Sequence, residues 1–119
     1  MEEFNITRIY TDFKGDSNFE EITIPLHPGG TIGYLSENFK VENLIFRKVV
    51  PSYDYDFHNA PAKQFIILLD GKIEIETSLG EKRTFGAGEI LQVEDITGKG
   101  HRTRNLENKE RKSLFVTYS

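Results

Sequence analysis

Short runs of β-branched and aromatic residues recur along the chain, and long stretches with apolar positions at helical spacing are missing. Ten glycines and four prolines interrupt these runs. Several short strands at such spacing are typical of an all-β sandwich or barrel. The predicted strands span residues 6–10, 19–24, 33–35, 44–50, 64–69, 72–77, 82–85, 90–93, 101–104 and 113–118.

The clearest local signal is the Asp70-Gly71 pair between two apolar runs. Glycine tolerates the positive φ that a tight hairpin turn requires, so the pair predicts a hairpin. After the turn, residues 72–77 alternate between charged and β-branched side chains, which predicts a strand with one solvent-exposed and one buried face. Residues 65–69 have no polar position, so we expect that strand to be covered on both faces.

Composition narrows the class of protein and its partners. A chain of 119 residues is long enough for one compact domain with its own core. The absence of cysteine excludes a disulfide scaffold, a Cys-based zinc site and thiol catalysis. A net charge of −4 disfavours nucleic acid or an anionic membrane as a partner. Residues 1–4 lack the basic and apolar regions of a secretory signal, and no apolar run is long enough to cross a bilayer, so we expect a cytoplasmic protein.

Three histidines are the candidate metal ligands or acid–base groups, since imidazole serves in both roles. His58 lies shortly before the predicted hairpin, and Gln64 begins the next strand. His101 follows a glycine-containing turn, and hairpins folded into a barrel would bring it opposite His58. His27 lies in a Pro-Gly-Gly turn sequence and is expected to be a surface loop residue.

The segment around the first of these histidines resembles the first motif of the cupin superfamily. That motif has two histidines one residue apart, then a glutamate, then a glycine at a hairpin turn. His58 and Gly71 match the family spacing. Ala60 stands where the second histidine belongs, Gln64 replaces the glutamate, and Ser52 replaces the opening glycine.

The second cupin motif has a glycine, a Pro-x-Gly turn, a histidine and, four residues later, an asparagine. Gly88 matches its opening glycine, and residues 98–105 reproduce its end with His101 and Asn105. Ile96 replaces the proline, and the stretch from Gly88 is longer than the usual pattern. The second motif is thus similar to the family pattern at its histidine and asparagine.

The resemblance covers residues 44–118 and implies an all-β fold, the cupin-type jelly-roll β-barrel or double-stranded β-helix. We expect one domain spanning residues 1–119, in which residues 1–43 add N-terminal edge strands to a core barrel. Small cupins usually pair through edge strands, so a homodimer is also expected. The apolar positions of residues 22–26 are the candidate contact.

The resemblance implies metal ligands at His58, Gln64 and His101. A complete cupin site offers three imidazoles and one carboxylate, so a missing imidazole and a neutral amide weaken the affinity for a divalent cation. Two alternatives therefore remain for this site: it binds one divalent transition metal (iron, manganese, nickel or zinc), or it binds no metal. Asp56, two residues before His58, would complete a two-histidine, one-carboxylate triad if it shared that face. The favoured interpretation is that Asp56 is a solvated loop acid.

Arginines are the remaining candidates for ligand binding. Arg47 lies within an otherwise apolar predicted strand, and facing inward it would need a carboxylate or phosphate partner, whereas facing outward it would be solvated. We count Arg47 with the two histidines and Gln64 as a ligand-binding candidate. Alternation predicts that Arg102 and Arg104 point away from His101. Residues 109–112 are interpreted as a solvated charge run.

Two functional hypotheses remain, and the sequence assigns no catalytic residue to either. The first is a cupin that binds a small molecule in its barrel. The resemblance implies metal-dependent oxygenation, or isomerisation of a sugar or keto acid, and without a metal His58 or His101 would be the acid–base group. The second is a non-catalytic sensor or carrier that holds a small anion or carbohydrate, which the degenerate ligand set favours.

Overall fold

The computed structural model describes residues 2–119, which form short β-strands and a 3-10 helix at Gly30–Ile32. No helix in this range is long and apolar enough to cross a membrane. The strands are β1 (Glu3–Thr11), β2 (Ser17–Pro25), β3 (His27–Pro28), β4 (Tyr34–Leu35), β5 (Asn43–Val49), β6 (Asp54–His58), β7 (Gln64–Leu68), β8 (Lys72–Thr77), β9 (Lys82–Gly86), β10 (Ile90–Val93), β11 (His101–Asn105) and β12 (Arg111–Thr117).

Two sheets pack against each other and enclose the core. The six-stranded sheet has the order β2-β1-β10-β7-β12-β5, and the four-stranded sheet has the order β6-β11-β8-β9. β1 pairs with β10 in parallel, whereas the other neighbouring strands in these two sheets run antiparallel. β3 and β4 form a separate two-stranded sheet. The all-β prediction is confirmed.

Inward-facing apolar side chains from both sheets form one core. The alternation predicted for β8 is confirmed, because Ile73, Ile75 and Thr77 are buried between more exposed charged residues. β1 lies one position inside the edge strand β2 and contributes a fully buried isoleucine. The core residues are Ile9, Ala60, Leu68, Ile73, Ile75, Phe85, Leu91 and Val93.

The structure differs from the expected strands at β3, β6 and β7. The exposed His27 lies in the short strand β3 rather than in the expected loop. β6 was not predicted, because residues 54–58 carry two aspartates and show no clear alternation, yet this strand positions His58. The expected coverage of both faces of residues 65–69 is wrong, since Leu69 is 50% exposed and Phe65 is only half-buried. The outer face of β7 is therefore an apolar surface rather than a second core.

The outer face of the six-stranded sheet carries an apolar groove of about 310 Å³. Ile24 and Leu26, both in the segment that the sequence singles out for pairing, line it together with Phe65. The expected homodimer stays a prediction. Light scattering at micromolar concentration is expected to give twice the chain mass of 13.7 kDa, and a mass of one chain would contradict it.

Candidate functional site

A cavity of about 270 Å³ lies between the two sheets. The four ligand-binding candidates from the sequence, Arg47, His58, Gln64 and His101, all line this cavity. Their roles toward a ligand or a metal stay predictions. The apolar part of the wall comes from both sheets and includes Ile66, Leu68, Ile73, Ile75, Leu91 and Val93.

The two histidines of the cavity are direct cross-strand neighbours. His58 on β6 is paired with His101 on β11 in the antiparallel register, and their ring centroids are 4.8 Å apart. They thus share one sheet rather than standing on opposing walls. His58 is half-buried and His101 is 4% exposed, so the pair presents one accessible and one enclosed imidazole.

A β-bulge in β6 determines which residue lies next to His58 on the face toward the cavity. The register shifts between His101 and Thr103, so that two residues of β6, Asp56 and Phe57, oppose the single residue Arg102 of β11. Tyr55 rather than Asp56 therefore shares the cavity face with His58, and the two rings stack at 3.7 Å. Asp56 is exposed, which agrees with its interpretation as a solvated acid.

Both imidazoles are held through the same nitrogen. Nδ1 of His101 donates to Oδ2 of Asp95 at 2.5 Å, and Nδ1 of His58 donates to the backbone oxygen of Asp56 at 2.8 Å. An ionised carboxylate and a carbonyl oxygen only accept hydrogen bonds, so each Nδ1 carries the proton. In the neutral rings, Nε2 is then the nitrogen left to accept a hydrogen bond or a proton.

Asp95 is the acid that fixes His101, and the sequence does not identify it. It is 0% exposed, and its Oδ1 has no hydrogen-bond partner among the described residues. Its backbone oxygen accepts from the Ala60 amide at 3.1 Å, which connects the loop after β10 with the loop after β6. Asp95 lies six residues before His101 in a turn-rich stretch. The local sequence there does not distinguish a buried aspartate from a solvated one in a loop.

Burial lowers the pKa of His58 below its usual 6.5, and the nearby His101 adds to the shift, although the hydrogen bond to Asp56 opposes it. We expect an NMR titration to place the midpoint of His58 below 6.5. The unfolded chain then binds this proton more tightly, so His58 contributes stability above pH 6.5 that is lost as the pH falls through the folded pKa. A midpoint at or above 6.5 would contradict the burial of this ring.

The donor set fits a divalent cation poorly. No group of three or more His, Cys, Asp or Glu side chains among residues 2–119 is arranged to hold a metal ion. Gln64 is buried but offers only a neutral amide oxygen, and the guanidinium groups of Arg47 and Arg111 line the same cavity. Positive charge in a cavity of low dielectric opposes a cation. No reaction step through a metal is derived for this site.

The arginines do not all lie where the sequence suggests. Arg102 and Arg104 pair on the outside with Asp54 and Glu74, as expected. Arg111 is 2% exposed, so its interpretation as part of a solvated charge run was wrong. The strand register explains the difference, because β12 begins at Arg111 and turns alternate residues from that position inward.

Asn105 of the second motif has a structural role next to this arginine. Its Oδ1 accepts from Nε of Arg111 at 3.0 Å, and its Nδ2 donates to the backbone oxygens of Val50 and Pro51, at 3.2 Å each. The asparagine therefore joins the end of β11 to the loop after β5 and holds the Arg111 side chain in place.

Solved structures with a similar fold include the following two. A cupin 2 conserved barrel domain protein from Salinispora arenicola superposes with a TM-score of 0.52 at 18% identity, over 64% of this chain and 61% of its own. This chain thus spans less than two thirds of that protein. A protein from Neisseria meningitidis gives a TM-score of 0.52 at 18% identity, over 67% of this chain and 81% of its own.

At this identity the likeness shows the fold alone. The chain is a small cupin-fold protein with the jelly-roll architecture that the two degenerate motifs predict. No family model matches the sequence, and no curated protein matches it. The activity must therefore be inferred from the cavity itself.

Proposed function

We propose that the chain binds a small polar molecule in its barrel cavity, with a polar group of the ligand against Nε2 of His58 and His101. The observation that carries the proposal is the neighbouring pair of imidazoles, both held through Nδ1, on the wall of a cavity of about 270 Å³. Ligand sites combine such an apolar cavity with a few convergent polar groups.

The Asp95–His101 pair gives this site the geometry for proton transfer. Asp95 fixes the ring through Nδ1, so Nε2 of His101 is the atom that takes a proton from the ligand or returns it. A buried carboxylate behind a histidine stabilises the imidazolium that forms during such a step. If the ligand is turned over, we propose metal-free proton transfer on a sugar or keto acid, as in isomerisation or epimerisation.

A non-catalytic sensor or carrier is the second candidate. The observation that favours it is that Ala60 and Gln64 occupy the positions where the family resemblance places a histidine and a glutamate. Binding needs fewer fixed groups than chemistry does. Exchange of the ligand's α-hydrogen for deuterium in D₂O would favour the enzyme, and tight binding without exchange would favour the carrier.

The binding proposal is tested with glucose, ribose and pyruvate as probes in thermal-shift and NMR titrations. We expect at least one probe to raise the Tm and to shift the imidazole signals. His58→Ala should weaken the response about tenfold, whereas His27→Ala, on an exposed residue outside the cavity, should leave it unchanged. A chain that responds to no probe, or a response insensitive to His58→Ala, would contradict the proposal.

The metal hypothesis has its own measurement. Because the donor set is neutral and shares the cavity with two guanidinium groups, we expect elemental analysis of protein purified without chelator or tag to give well under one metal per chain. Stoichiometric iron, manganese, nickel or zinc that disappears in the His58→Ala/His101→Ala variant would show that His58, Gln64 and His101 do form a metal site.

A further inference from the structure

The guanidinium of Arg111 is held at one nitrogen, whereas its two terminal nitrogens have no hydrogen-bond partner among the described residues. Its Nε donates to Asn105, and its aliphatic stem occupies the space that Gly71 leaves open, because a Cβ there would lie 3.1 Å from both Cγ and Cδ of Arg111. Both terminal nitrogens, Nη1 and Nη2, are buried and have no hydrogen-bond partner among the described residues. Arg111, which carries these two nitrogens, is one of the residues that line the cavity.

A second arginine stands beside it on the next strand. In the β12–β5 register Arg111 opposes Val49 and Ser113 opposes Arg47, so the two arginines are diagonal neighbours on the inner face. The guanidinium carbon of Arg47 lies 4.9 Å from the Tyr53 ring centroid and 4.8 Å from that of Phe115. These aromatic contacts hold the Arg47 guanidinium beside the cavity.

The charges of Arg47 and Arg111 are not paired: within residues 2–119, neither arginine takes part in an ion pair with a carboxylate. Burial lowers the pKa of Arg111, and the charge of Arg47 lowers it further. Burying a guanidinium without an anion is costly, so a bound anion would offset this cost and stabilise the folded chain.

We propose that the ligand of the cavity carries an anionic group, a carboxylate or a phosphate, which Arg111 and Arg47 bind. The inference rests on the proposed binding of a small molecule in this cavity. The free Nη1 and Nη2 of Arg111 form the planar fork that matches two oxygens of such a group.

The positions of the strands indicate where the other end of the proposed ligand would lie. The two arginines belong to β5 and β12 of the six-stranded sheet, whereas the histidines belong to β6 and β11 of the four-stranded sheet. A ligand between the sheets therefore has its anionic group on one sheet and a second polar group on the other. Because about 270 Å³ is slightly below the usual volumes of ligand pockets, the ligand is a small organic acid or a small phosphate ester.

Isothermal titration and thermal shift with defined anions test this proposal. The probes are succinate, inorganic phosphate and neutral succinamide, with sodium chloride at matched ionic strength. We expect succinate or phosphate to raise the Tm, and succinamide and chloride to have no effect. Arg111→Met should weaken anion binding at least tenfold, whereas Arg104→Gln, at a half-buried arginine that is paired with Glu74 outside the cavity, should not.

The two anions also separate the ligand classes. A response to succinate alone indicates an organic acid, and a response to phosphate alone indicates a phosphate ester. If neither anion acts beyond chloride, or if Arg111→Met and the second variant Arg47→Gln both respond as the wild type does, the proposal is overturned.

The stability of the ligand-free variant gives an independent readout. Replacing an unpaired buried charge with an apolar side chain of similar length removes its desolvation cost, so Arg111→Met is expected to raise the Tm of the free protein. A lower Tm together with an unchanged anion response would assign Arg111 a purely structural role.

The two proposals can fail separately. If neutral sugars bind in a way that depends on His58 and no anion has an effect, the proposed anionic group is overturned, but the proposed binding of a small molecule in the cavity is not. No response to either class overturns both.

Discussion

Gly100→Ala is expected to destabilise the chain by about 2–5 kcal/mol. The alanine would have to adopt a left-handed backbone conformation, and its Cβ would clash with the main chain of a neighbouring strand. Gly100 has a φ of +75°, and a Cβ there would collide with the backbone carbonyl of His58. Ser17 Oγ donates to the Gly100 oxygen at 2.7 Å, so the residue has little freedom to retreat. Strand β6 must then move away from β11. Urea denaturation measures the loss, and NMR should show the two imidazoles separating.

Gly80→Ala is the matched control for this substitution. Gly80 has a similar φ of +87°, but a Cβ there would meet no heavy atom within 4 Å. Its cost should therefore be the conformational part alone, about 1–2 kcal/mol. Equal losses for the two variants would show that the close approach between Gly100 and β6 has no energetic consequence.

Asp95→Ala is expected to cost about 1–3 kcal/mol, because it leaves the Nδ1–H group of the buried His101 without an acceptor. The same substitution should release the tautomer of His101, which ¹⁵N chemical shifts of the ring report directly. Asp95→Asn keeps an acceptor oxygen and should restore most of the stability without restoring the charge. Proton-exchange activity, if present, should fall in both variants.

Asp54→Ala is the comparison for Asp95→Ala. Asp54 pairs with Arg102 on the exposed outer face, and such surface pairs contribute about 0–1 kcal/mol. A loss for Asp95→Ala no larger than that for Asp54→Ala, with the His101 tautomer unchanged, would contradict the positioning role of Asp95.

Much of the fold follows from local patterns. The Asp70-Gly71 turn and the alternation of β8 are visible in the sequence, because a hairpin and a one-sided strand depend on neighbouring residues. β6 was missed, because its pairing with β11 comes from residues more than forty positions away rather than from its own composition. The bulge that lets His58 stack on Tyr55 arises from the same long-range pairing.

The residues of the candidate site likewise include some that could be predicted from local sequence and some that could not. His58 and His101 could be identified by residue type and spacing, and Arg47 by its place in an apolar strand. Arg111 and Asp95 could not, because a charged residue in a polar segment is ordinarily solvated and only the tertiary fold buries these two. The proposal that the cavity binds an anion rather than a metal ion rests largely on Arg111.

The bulge in β6 has a consequence for the electrostatics of the barrel. With regular pairing, the residue two before His58 would face the interior, and that residue is Asp56. An acid beside two imidazoles would attract cations and oppose the negative groups that the arginines attract. One extra residue in the ladder puts an uncharged phenol ring there instead. The negative charge that we propose for the ligand therefore depends on the number of residues in β6 as well as on their identity.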